Sequence, residues 1–177
     1  MQSTRTLMLE HFQEQSAICD EFGSPFTARL IECFAPDFEA GGPIADLVGA
    51  WKTHPRVDAL SMRLCGALHA AALTGRDPAL TAEYPEQRPD WNMKSLWPIA
   101  HAWLVRDQAW VAEFIRSAPQ TNEVRRSIAL LMGFLTFAND YTGEIETLEI
   151  GASAGLNLRC DQFEIRTEGG ESFGRIG

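Results

Sequence analysis

The sequence predicts a mainly α-helical protein: an N-terminal multi-helix bundle, then a strand, a glycine turn and a β hairpin. Three observations carry that expectation. Apolar residues recur at three- and four-residue spacing over most of residues 1–143, the period of a one-sided helix. Proline, glycine and capping residues divide that region into helix-sized pieces. After Gly143 the pattern changes to the strand-like run 144–150, with Ile145, Thr147, Leu148 and Ile150, followed by two glycines at Gly151 and Gly155. The boundary is accordingly placed at 143: a helical bundle domain over 1–143, and the start of an α/β core over 144–177.

Each element has its own signal. Residues 4–22 form the first helix, carrying Leu7, Met8, Phe12, Ile18 and Phe22, and Gly23 stops it. Ser24-Pro25 supplies a cap and a first-turn proline for the second helix, with Phe26, Leu30, Ile31 and Phe34 at helical spacing. Two prolines and Gly41-Gly42 make 35–43 a loop, and a short helix over 44–52 ends before Thr53-His54-Pro55. The stripe Val57, Leu60, Leu64, Leu68 and Ala71 predicts a helix over 56–74 with Gly75 as its stop. Asp77-Pro78 caps a short helix reaching Tyr84, and 85–90 is a second loop. Four tryptophans fall on two helices between Trp91 and Trp110 that break near Arg106-Asp107. Their large rings suit core packing, although Trp97 and His101, four apart, share a face open to a stacking role. The longest amphipathic helix opens at Pro119 to Glu123, is capped by Thr121 or Asn122, and runs to Tyr141. Glu144 to Ile150 is the first strand, and 163–167 pairs back with 171–173.

Composition limits the function classes. A formal charge of −9 with only Arg125-Arg126 as a dense basic spot disfavours a nucleic-acid partner. Cys19, Cys33, Cys65 and Cys160 lack metal-ligand spacing, so no metal site is expected, and they read as buried thiols in a reducing cytoplasm. No apolar run approaches a membrane span. His69 and His101, on apolar helices, read as structural histidines.

Chemistry concentrates at Glu149-Ile150-Gly151-Ala152-Ser153-Ala154-Gly155. One reading is a nucleotide-type site at the carboxyl end of a strand, where glycines let backbone approach a ligand and a helix N-terminus follows. It resembles the acidic-x-Gly-x-x-x-Gly turn of S-adenosylmethionine enzymes, whose acid engages the amino-acid end of the cofactor. A second reading is a nucleophile elbow, since Gly151-x-Ser153-x-Gly155 fits G-x-S-x-G. That fold places its histidine after the serine, whereas His11, His54, His69 and His101 all precede it. The third is a turn with no ligand.

Three stretches together resemble one bacterial family of unknown function: Leu68-His69 through Gly75-Arg76-Asp77-Pro78-Ala79-Leu80, Pro119-Gln120-Thr121-Asn122-Glu123, and Leu148 through Leu158. The likeness runs over roughly residues 50–166 in matching order. The resemblance implies a helical N-terminal region joined to a methyltransferase-like, Rossmann-like α/β core. Family members are longer, so it also implies that this chain is the N-terminal half, a truncated form whose core is incomplete and inactive alone. Arg125 stands where the family pattern has glycine.

The candidate cofactor-binding residues are Glu149, Gly151, Ala152, Ser153, Gly155 and Asn157, with S-adenosylmethionine as the implied cofactor. Gln120, Thr121, Asn122, Glu123 and Arg126 are the candidate substrate-binding residues, a polar helix start expected beside the glycine turn. No residue stands out as a general base. The rival reading is a non-catalytic helical interaction module that forms a homodimer, or binds a partner, through exposed C-terminal strands.

Overall fold

The computed structural model describes residues 4–119, 123–167 and 169–174. The chain divides into two units, Met1–Pro119 and Gln120–Gly177.

In the first unit, α1 (Thr4–Glu21) buries Met8, Phe12 and Cys19 at helical spacing and ends at Gly23 with φ +75°. Helix α2 (Pro25–Glu32) starts on the expected proline and buries Leu30 and Ile31. The expected loop over 35–43 is instead helix α3 (Phe34–Ala40), closed by Gly41 in the left-handed conformation. Pro36 is tolerated because it falls in the first turn, where no helix carbonyl awaits its missing N–H. Helix α4 (Pro43–Val48) follows, and its Ile44 N–H donates to the buried Asp37 carboxylate at 2.8 Å.

Helix α5 (Leu60–Leu73) is shorter than the apolar stripe suggested, and Val57, 83% exposed, lies outside it. Ala59 precedes it at φ +51°, and two longer-range bonds hold its start. Ser61 N–H donates to His11 Nε2, and Arg63 Nε donates to the Asp58 carbonyl at 2.6 Å. Helix α6 (Pro78–Glu83) carries the expected cap, with Leu80 N–H donating to Asp77 Oδ1 at 2.7 Å. Helices α7 (Met93–Arg106) and α8 (Gln108–Phe114) break at Asp107 as the sequence indicated. Met8, Phe12, Phe34, Ile44, Leu64, Leu68, Leu96 and Trp103 meet in one core. Trp51, Trp97 and Trp110 pack partly buried against it, in keeping with the packing role read for the tryptophans. His101 Nε2 lies 3.1 Å from Asp37 Oδ1, tying α7 to α3.

In the second unit, α9 (Arg126–Ala138) is followed by irregular chain. The helix expected from 119 falls with this unit rather than with the bundle. The strand expected over 144–150 is not formed: 144–149 carry no regular structure, and Ile150 enters a turn. β-branched side chains favour a strand only where a neighbouring strand completes the ladder, and here none pairs with this run among the described residues. A 3-10 helix (Leu156–Gln162) leads to β1 (Glu164–Arg166), which pairs antiparallel with β2 (Ser172–Gly174) with Ile165 opposite Phe173. The pairing closes through Thr167 N–H to the Glu171 carbonyl at 2.9 Å and Gly170 at φ +81°. These two three-residue strands are the only sheet among the described residues, so no Rossmann-like sheet is seen there. No described helix is long and apolar enough to cross a membrane.

Candidate functional site

The second unit contains a cleft of about 490 Å³, within the range of small-molecule sites. Its walls come from α9, the irregular run before the glycine turn, and the 3-10 helix after it. Most of the lining is apolar: Ala129, Leu130, Phe134, Leu148 and Leu158, with Cys160 beside them. Three polar residues among the candidates line it as well: Glu149, Asn157 and Arg126.

The turn explains how Glu149 and Asn157 come together. Gly151, Ser153 and Gly155 all have positive φ, +73°, +53° and +71°, and Gly155 N–H donates to the Ala152 carbonyl at 2.7 Å. Left-handed residues reverse the chain tightly, so residues on either side of the turn reach one cleft. Gly155 also caps the 3-10 helix that carries Asn157. Gly151, Ala152, Ser153 and Gly155 are not among the residues lining the cleft, and a Cβ on either glycine would meet no atom within 4 Å. Both glycines hold a left-handed backbone that the turn requires.

Glu149 is half-buried, and its Oε2 is fully buried with no hydrogen-bond partner among the described residues. An acceptor in that position is unfavourable unless something donates to it. Asn157 is buried, 2% exposed, and adds a second polar group to the same wall. Arg126 stands at the first turn of α9, and its guanidinium has no ion pair among the described residues. The cleft therefore offers an anionic oxygen, an amide and a cation over an apolar floor. Such a set can hold a small molecule with an ammonium or hydroxyl group at one end and a carboxylate nearby.

Of the rest of the expected polar helix start, only Glu123 can be placed. Gln120, Thr121 and Asn122 lie outside the described residues. Glu123 is exposed and accepts the Arg125 N–H at 3.0 Å, a local turn contact away from the cleft lining. Leu130, Phe134 and Cys160 form walls that sequence reasoning did not single out. Their apolar character reads equally well as core, and only the α9 periodicity hinted at a shared face.

A family model described as "Uncharacterized protein conserved in bacteria (DUF2332)" matches residues 9–177. No curated protein and no solved structure matches the chain.

Proposed function

We propose, from the premise that the chain belongs to this family of uncharacterised proteins conserved in bacteria, that it is a methyltransferase-like enzyme whose C-terminal unit binds S-adenosylmethionine. The observation that carries the proposal is the buried Oε2 of Glu149, without a partner among the described residues, in a residue that lines an apolar cleft. A ligand ammonium or ribose hydroxyl is the donor that oxygen lacks, and a charge-assisted bond there is roughly twice as strong as a neutral one.

The residues present suit the group. Glu149 would hold the amino end, Arg126 the carboxylate, and Asn157 a further polar group, while Leu130, Phe134 and Leu158 cover the adenine and thioether portions. When bound, S-adenosylmethionine supplies an electrophilic methyl on sulfur. The chain's own contribution is to bind, orient and exclude water, as is usual where a cofactor carries the reactivity. Gly151, Ser153 and Gly155 act indirectly by setting the turn.

Calorimetric titration with S-adenosylmethionine and S-adenosylhomocysteine tests the reading, with saturable heat expected from both. A second reading is favoured by a different observation: Leu148 is 90% exposed and Ile150 is 94% exposed. A module that covers these residues with a second copy or another protein would remove that apolar surface from water. Light scattering distinguishes the two. A monomer with cofactor heat supports the enzyme, and a dimer without heat supports the module.

A further inference from the structure

The N-terminal unit has a separate cleft of about 250 Å³, lined by Phe26, Leu30, Met62, Cys65, His69 and Tyr84 among others. Tyr84 is 2% exposed, and its hydroxyl is fully buried with no hydrogen-bond partner among the described residues. Burial, helped by Cys65 and Glu86, pushes the phenol pKa up, so the group stays protonated and available as a donor. The ring packs edge-on against Phe26 at 5.1 Å and beside His69 at 5.8 Å. Buried polar groups without a partner are rare in folded proteins, and each calls for an occupant or a water.

Size and charge narrow the occupant. An apolar cavity of roughly 150 Å³ holds benzene, so this cleft has room for one ring and a short polar substituent. Among the described residues the wall contains no lysine or arginine, and Glu86 lies on it, which disfavours an anion. Phe26, Met62 and Cys65 offer an aromatic edge and two sulfurs, all favourable contacts for an aromatic ring. We propose that this cleft binds a neutral monocyclic aromatic molecule bearing a hydroxyl or carbonyl oxygen, which accepts the Tyr84 O–H.

The probes are benzyl alcohol, toluene and benzoate, titrated into the full chain by ligand-observed NMR. In the wild-type protein, benzyl alcohol is expected to bind about tenfold more tightly than toluene or benzoate. Tyr84→Phe keeps the ring and removes the oxygen, so benzyl alcohol weakens about tenfold while toluene changes less than twofold. Absence of binding by every probe means that the cleft holds only water and overturns the proposal. So does a wild-type protein that does not distinguish benzyl alcohol from toluene, a comparison that needs no variant. Equal weakening of both probes by Tyr84→Phe also overturns it.

Discussion

His11 Nε2 accepts the backbone N–H of Ser61 at 3.1 Å, joining α1 to the first turn of α5 across fifty residues. That N–H is one of the donors a helix start leaves without an internal partner. Only a neutral imidazole has the lone pair to accept it.

The consequence is a pH dependence. Burial lowers the His11 pKa from 6.5 to about 4, with Glu14 opposing and His54 and Arg56 assisting. The folded value lies below the unfolded one, so the stabilisation is complete above pH 6.5 and is lost as pH falls towards 4. The shift corresponds to about 3 kcal/mol. Urea titrations should show wild-type stability falling by that order between neutral and acid pH. His11→Gln, which keeps an acceptor that does not titrate, should fall less steeply. Parallel losses in the two proteins would remove His11 as the cause.

Arg63 holds the end of α8 to α5. One guanidinium nitrogen donates to the carbonyls of Ile115 and Arg116, each at 3.0 Å, while Nε serves the Asp58 carbonyl. Arg63→Met strands those acceptors and should cost about 3 kcal/mol in chemical denaturation. Arg63→Lys keeps the charge without the planar fork and should recover only part of it. A methionine variant as stable as the wild type would show that these bonds contribute nothing.

Gly151 at φ +73° has open space around it, so the effect of substitution there is conformational. Gly151→Val should destabilise the turn by about 1–2 kcal/mol, and Gly151→Asn by clearly less, because asparagine tolerates left-handed backbone. Native-state hydrogen exchange over 144–162 reads this locally. Identical protection in both variants would mean that the turn does not depend on the residue at 151.

The sequence makes some of this legible and hides the rest for physical reasons. Gly23, Asp77-Pro78 and the break at Asp107 are local signals that act within one turn, and each falls where expected. Helix α3 was hidden because Pro36 reads as a breaker until its position in the first turn is known. Val57 keeps the α5 spacing, yet Ala59 at positive φ starts the helix after it. The run 144–150 has strand composition, but strand formation depends on a partner that lies elsewhere in a chain, which propensity cannot supply. In the cleft, Glu149 and Asn157 were legible from the turn between them. Leu130, Phe134 and Cys160 were not, because an apolar side chain looks the same in a core and in a ligand wall.

The most direct measurement is calorimetric titration of S-adenosylhomocysteine into the full chain and into Glu149→Gln and Arg126→Ala, with circular dichroism confirming equal helix content. Saturable heat in the wild type, with affinity reduced tenfold or more in each variant (about 1.4 kcal/mol), is the predicted result. Absence of heat in the wild type, or affinity unchanged by Glu149→Gln, would contradict the assignment of the cleft.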